Sequence, residues 1–266
     1  MIIWAMGYPF KYIFSFLFIF LLSSCGLKEL AVKNADTFLI YQINKHLPLE
    51  SKEKEHLKSD VRLLLNNIKP EALELLQMMK SLDLEDQKNV SLRYEEAKRW
   101  YQKIFIHFSQ LISKKISTLS KDGIKSFKEI QDKEIKKLKA KAEKKDFNKN
   151  ISAIKKVIGD LNESQIQVLK KYEDYLHEKI KQRLERRAVV LDEVVTLLKR
   201  TSDQKTRETE IMQLFLKSHI ENLKDDKYLE IILAFLPTLN EKQKKHLHHQ
   251  KAELTELIEI FIATKY

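Results

Sequence analysis

The chain has 266 residues and a formal net charge of +11 at pH 7, with 43% hydrophobic and 33% charged residues. This length is ample for a buried core. Four glycines and four prolines are too few turn residues for many short strands, so the composition excludes a strand-rich protein and predicts an all-α fold.

The N-terminus carries an apolar segment that is shorter than a membrane-spanning helix. Its eleven residues, Tyr12–Leu22, suit a signal-peptide core of roughly 7–15 residues, whereas a spanning helix needs about 20. Lys11 supplies the positive flank, and the small residues Ser23 and Ser24 precede Cys25, the only cysteine. An uncleaved anchor is the alternative, although Lys11 would then lie inside the span.

The Leu-Ser-Ser-Cys sequence resembles the lipobox of bacterial lipoproteins. The resemblance implies cleavage between Ser24 and Cys25 and attachment of lipid to Cys25, which would anchor the chain to a membrane through several acyl chains. Gly26 follows the cysteine where inner-membrane retention usually has Asp, so the resemblance implies the outer membrane, facing the periplasm. Cleavage would leave 242 residues with net charge +10 and no disulfide.

The predicted export limits the anionic partners that this basic chain can meet. A protein in the periplasm rarely meets nucleic acid, so we expect no nucleic-acid partner despite the charge. The anions within reach are lipid head groups, lipopolysaccharide phosphates, peptidoglycan carboxylates and acidic unfolded proteins.

One phrase recurs along the chain and is typical of a helix start. It is clearest at residues 161–165, LNESQ, and 239–243, LNEKQ. Leu161 and Leu239 are followed by the capping residues Asn162 and Asn240, and Gln165 and Gln243 stand where a capping box needs a side chain that reaches back. Looser copies lie at 49–53, 84–87, 119–122 and 201–204, where Ser120 and Thr201 are the expected caps.

Apolar residues at steps of three and four predict long helices over 90–119 and 166–198. We therefore expect long antiparallel helices in an elongated bundle or a stack of helical hairpins. Pro70 and Pro237 should start or kink shorter helices. Residues 1–24 are the predicted signal peptide, 25–48 a lipidated N-terminus with a lead-in helix, and 49–266 a helical domain, either one unit or two halves that meet near 147–161.

Two families resemble this chain. The LNESQ and LNEKQ phrases are similar to the Leu-Thr-x-x-Gln motif of small periplasmic helical chaperones of the envelope stress response. The whole mature chain more closely resembles an uncharacterised family of all-helical lipoproteins from Gram-negative bacteria, through the lipidated cysteine, Phe38–Tyr41, Asn44–Glu50 and Gly159–Gln165. His46-Leu47-Pro48, Glu53 and Gly123 depart from the family pattern. The resemblance implies no catalytic residues and no cofactor.

Motifs of catalysis and metal binding are absent from the sequence. There is no Gly-x-Ser-x-Gly turn, no HExxH pair and no phosphate-cradling glycine loop, so we expect no enzyme activity, metal or cofactor. His246, His248 and His249 stand among lysines whose charge opposes a cation, and we interpret them as a solvated basic helix face.

The densest basic run lies within 133–150, a stretch that we expect to project from the body as a helix tip or loop. Its lysines either form a solvated helix face or bind an anionic surface. The candidates for that surface are Lys136, Lys137, Lys139, Lys141, Lys144 and Lys145.

These observations favour a lipid-anchored periplasmic helical protein that binds envelope components and catalyses nothing. A chaperone-like role is the sharper version. The alternatives are a structural tether between the outer membrane and peptidoglycan or an envelope complex, and an enzyme of unrecognised type.

Overall fold

A computed structural model describes residues 25–143, 147–201, 203–223 and 225–266. These residues form α-helices with short connections and contain no strand, which confirms the all-α prediction. The helices are α1 (Cys25–Lys33), α2 (Ala35–His46), α3 (Ser51–Asn67), α4 (Lys69–Ser81), α5 (Gln87–Ser117), α6 (Lys121–Glu143), α7 (Phe147–Ile158), α8 (Glu163–Lys171), α9 (Glu173–Arg200), α10 (Gln204–Leu223), α11 (Lys227–Phe235), a 3₁₀ turn (Leu236–Thr238) and α12 (Glu241–Ala263).

Several helix boundaries follow the local sequence signals. Pro70 lies in the first turn of α4, and Pro237 lies in the 3₁₀ turn that separates α11 from α12. Asp86 caps α5 by accepting the N–H of Lys88 at 2.8 Å. The Ser120 hydroxyl accepts the N–H of Gly123 at 3.2 Å, so this predicted cap is present at the start of α6.

Two of the looser copies start their helices differently from the prediction. Thr201 follows the last residue of α9 in an extended conformation, and the carboxylate of Asp203 instead accepts the N–H of Thr206 at 2.7 Å. A carboxylate beside the positive end of a helix dipole is a stronger cap than a hydroxyl. Glu50 precedes α3 and makes no capping hydrogen bond through its side chain.

The long helices pack in antiparallel pairs, as predicted. Helix α5 packs on α10: the rings of Tyr101 and His219 lie 4.8 Å apart, and Lys98, three residues earlier in α5, pairs at 2.7 Å with Asp226, which follows the end of α10. The earlier residue of α5 contacts the later residue of the other segment, so α5 and α10 run in opposite directions. Residues 128 and 131 of α6 contact residues 192 and 187 of α9 in the same antiparallel order.

One core cluster extends through most of the chain. It joins buried residues of α2, α3, α5 and α6 to buried residues of α9 and α10, from Ala35 to Ile211. Residues on both sides of 147–161 therefore share this core. A smaller cluster joins α4 to α12, and Val32 of α1 packs with Leu257 of α12.

The predicted helix over 166–198 is divided in two by Tyr172. This residue ends α8 and precedes α9, with φ −106° and ψ 5°. Its ring is buried, and its hydroxyl donates to Glu230 of α11 at 2.8 Å. The helix turns at this residue because α8 packs on α11, whereas α9 packs on α6 and α10.

The C-terminal tail ties together segments that are remote in sequence. The Tyr266 hydroxyl donates to the carbonyl of Val32 at 2.8 Å, and the Asn66 amide donates to the carbonyl of Tyr266 at 3.1 Å. Lys69 donates to the carbonyl of Thr264 at 2.5 Å. These three bonds hold α1 and the α3–α4 junction against the end of α12.

Candidate functional site

The two LNExQ phrases both begin helices, and both predicted capping boxes are present. The Asn162 side chain accepts the N–H of Gln165 at 2.9 Å, and Gln165 Oε1 accepts the N–H of Asn162 at 3.0 Å. The same pair of bonds joins Asn240 and Gln243, at 2.9 and 3.1 Å. The start of α8 and the start of α12 therefore have the same local structure.

The tertiary fold brings the two boxes into direct contact through their glutamines. Gln165 Nε2 donates to Gln243 Oε1 at 2.7 Å, and Gln243 Nε2 donates to Gln165 Oε1 at 3.0 Å. Each Nε2 also donates to the backbone carbonyl of the residue that precedes the other phrase, that of Thr238 at 2.9 Å and that of Asp160 at 2.6 Å. Gln165 is fully buried and Gln243 is 3% exposed.

This arrangement, which we call the glutamine pair (Gln165 and Gln243), is close to two-fold symmetric. The glutamines are 78 residues apart, and the carbonyl acceptors Asp160 and Thr238 have the same separation. The helices around the pair are also exchanged, since α7 packs on α12 and α11 packs on α8. Leu161 and Leu239 are both partly buried beside it.

The residues that precede the two LNExQ phrases differ between the two copies. Gly159 and Pro237 occupy equivalent positions, two residues before Leu161 and Leu239, and the φ of Gly159 is +91°. Residues other than glycine rarely adopt a positive φ in that region. The symmetry of the glutamine pair therefore does not extend to the connections that precede it.

Gly159→Ala is expected to lower the free energy of unfolding by about 1–2 kcal/mol. The cost is one of backbone conformation alone, because an added Cβ meets no atom within 4 Å. Urea denaturation measures the change. Gly159→Asn should cost less, since asparagine tolerates positive φ, and equal losses for the two variants would contradict this account.

The hydrogen bonds of the glutamine pair decide what it can do. Each amide uses both N–H groups and accepts two hydrogen bonds at Oε1, so no donor of the pair remains for a ligand. A buried polar network that is fully satisfied rigidifies and specifies a fold. The LNExQ phrases are thus an internal structural element that positions α7, α8, α11 and α12.

Cys25, the predicted lipidation residue, lies in α1, and Ser24 lies outside the described residues. Helix α1 packs on α12 and is fixed there by Val32, which is 3% exposed. Val32 is the seventh residue after Cys25, about 10 Å further along a helix.

The lysines of the basic run occupy the outer face of α6. Ile135 and Leu138 of this helix are buried, so the run packs on the body as far as Leu138, a part that the sequence predicts to project. Residues 139–143, the last five of α6, include no buried residue. Of the candidate lysines for an anionic surface, Lys136, Lys137, Lys139 and Lys141 are exposed. Lys144 and Lys145 lie outside the described residues.

The histidines of α12 form no cluster with metal-ligand geometry. His248 and His249 are exposed, and His249 lies 3.5 Å from Glu253 on the same helix. Among the described residues, no group of three or more His, Cys, Asp or Glu side chains is placed to hold a metal ion.

A buried lysine is the main polar feature that the sequence interpretation missed. The Lys115 side chain is 1% exposed, and its Nζ lies 2.6 Å from Asp60 and 3.1 Å from Glu53. Burial would raise the pKa of Asp60, but contacts with Lys115 and Lys114 outweigh it and hold that pKa below its usual value. The spacing of Lys115 from Phe108 and Leu111 could have revealed its burial, because Lys115 lies on the apolar stripe of α5.

A second missed feature is the buried imidazole of His219 on α10. Its ring stacks on Phe105 with centroids 3.8 Å apart and lies 4.8 Å from Tyr101. Removal from water disfavours the charged form and lowers the pKa of His219 from its ordinary value of 6.5 to about 4.

Acid is expected to destabilise the fold through His219. The unfolded chain binds the proton near pH 6.5 and the folded chain only near 4, so stability falls as the pH drops through that window, by about 3 kcal/mol. Below about pH 4 this contribution stays constant, because both states are protonated. Urea denaturation at several pH values measures the loss.

The matched comparison separates His219 from the other titrating groups. His219→Phe should lose the part of the pH dependence that His219 contributes, about 3 kcal/mol between pH 6.5 and 4, whereas His248→Gln, at an exposed position of α12, should keep it. An unchanged profile in His219→Phe would contradict the assignment.

None of the helices in the described part of the chain is long and apolar enough to cross a membrane. Comparisons with protein-family models, with curated proteins and with solved structures find no match for this chain.

Proposed function

We propose that this chain is a lipid-anchored, non-enzymatic binding protein of the bacterial cell envelope, held at the outer membrane through Cys25. The observation that carries the proposal is Leu22-Ser23-Ser24-Cys25 at the end of an apolar segment of signal-peptide length. The geometry of α1 supports it. Since Val32 is buried seven residues after Cys25, a lipid on Cys25 would hold the helical body close to the bilayer.

Replacement of Cys25 by serine is expected to abolish lipid attachment and to leave residues 1–24 in place. The wild-type chain, produced in a Gram-negative host, should lose residues 1–24 and gain the mass of several acyl chains. Intact-mass spectrometry of both proteins measures this. A wild-type product of full length and without added mass would refute the anchor.

A chaperone-like activity is the more specific form of the proposal. The body presents large apolar side chains to solvent on neighbouring helices, among them Leu63 of α3, 59% exposed, and Leu73 of α4, 47% exposed. A chain with a net charge near +10 that also exposes apolar side chains can hold acidic unfolded segments through both contacts.

Aggregation of a reduced model substrate tests this activity. The protein should suppress light scattering at stoichiometric amounts, and the double variant Leu63→Ser and Leu73→Ser should suppress it less at an unchanged melting temperature. Ser59→Ala, on the same exposed side of α3, is the matched control. Absence of suppression, together with sedimentation of the protein with purified sacculi, would favour the tether instead.

A further inference from the structure

The core contains an apolar cavity of about 90 Å³ where the three hydrophobic clusters formed by the described residues meet. Protein interiors rarely contain a void larger than a water molecule, and an empty void lowers stability. Its walls come from α1, α2, α3, α4, α5 and α12. The lining residues are Val32, Leu39, Ala72, Trp100, Ile104 and Leu257, with their apolar neighbours.

The chemistry of the wall restricts what can enter. Every lining residue is apolar, and the one polar atom among their side chains, the Trp100 indole N–H, donates to the carbonyl of Glu71 at 2.7 Å. No group in the wall is therefore available to hydrogen-bond a polar ligand or water. Apolar cavities of this kind remain dry and accept hydrocarbon groups.

The size of the cavity and its position point to the end of a hydrocarbon chain. Its volume is about that of three water molecules, which is too small for a whole lipid. Trp100, Leu254 and Phe261 are only partly buried, so a chain can enter past them. Val32 brings α1 into the wall seven residues after Cys25.

We propose that this cavity binds the end of an acyl chain. The chain comes either from the lipid on Cys25, in which case the inference rests on the proposed lipidation, or from a free fatty acid. Both sources present the same hydrocarbon, and a test in two arms distinguishes them.

Trp100 provides the readout, because the chain has only one other tryptophan, Trp4 in the predicted signal peptide. The protein is the full chain with Trp4→Phe, produced in a Gram-negative host and purified in a steroid-based detergent. In the first arm, bromine-substituted palmitic acid is added. In the second, the cells incorporate the brominated acid and free lipid is washed away. Bromine quenches tryptophan only in contact.

Quenching of Trp100 fluorescence is expected in either arm. Ala72→Leu should weaken the apparent affinity for the added acid roughly tenfold, because its added carbons fill the cavity. In the second arm the same variant should remove the quenching by the labelled anchor. Ala140→Leu, the same change at an exposed position of α6, should quench like the parent. If Ala72→Leu fails to fold, by circular dichroism, Ala72→Val replaces it. No quenching in either arm, or quenching that these cavity variants leave unchanged, overturns the inference.

The arms also separate this inference from the proposed function. Quenching by added acid in a protein without covalent lipid would retain the cavity site and refute the anchor. An acylated protein that shows no quenching in either arm would retain the anchor and refute the cavity site.

Discussion

Gln165→Ala is expected to lower the free energy of unfolding by about 4 kcal/mol, because it removes four hydrogen bonds at roughly 1 kcal/mol each. The groups affected are the carbonyl of Thr238, the N–H of Asn162, and one hydrogen bond each at Nε2 and Oε1 of Gln243. Urea denaturation measures the change.

The contact between the glutamines predicts strong coupling. Gln243→Ala should cost a similar amount, since it breaks the symmetric set of bonds. The double variant should cost less than the sum of the two by about 1–2 kcal/mol. Gln182→Ala, at an exposed position of α9, should change stability by less than about 0.5 kcal/mol. Additive losses in the double variant would show that the glutamine pair does not act as a unit.

The double variant Glu53→Gln and Asp60→Asn is expected to destabilise the chain by about 4 kcal/mol, because it leaves a buried ammonium without a charged partner. Both carboxylates contact Lys115, whose side chain is 1% exposed. Urea denaturation at pH 7 measures the loss.

A third substitution tests the cause of that loss. Adding Lys115→Met to the double variant should restore most of the lost stability, because it removes the charge that the other two changes leave unpaired. Asp192→Asn, which breaks the exposed pair with Lys128, should cost no more than about 1 kcal/mol. If the triple variant is no more stable than the double variant, the loss has another origin than the buried charge.

The helices were predictable to the extent that their signals are local. The stripe over 90–119 matches α5, which runs from Gln87 to Ser117, and the asparagine caps are formed by residues only three positions apart. The stripe over 166–198 did not reveal the turn at Tyr172, because periodicity records burial and not the change of partner from α11 to α6 and α10.

The polar features of the core were less accessible to sequence reasoning. Lys115 occupies a position of the apolar stripe, but its acidic partners lie on a different helix, α3. His219 likewise acquires its lowered pKa from the rings of α5 that exclude water around it. In each case the sequence shows an unusual residue but not the neighbour that determines its behaviour.

The amino-acid sequence by itself determined the helical class, the helix starts at Asn162 and Asn240, and the expectation of a lipid on Cys25, because caps, periodicity and cleavage signals act over a few residues. Only the tertiary structure decided that Gln165 and Gln243 form one hydrogen-bonded pair and that an apolar cavity opens between α1, α5 and α12. These features join residues far apart in the chain, and their positions depend on how every intervening helix packs.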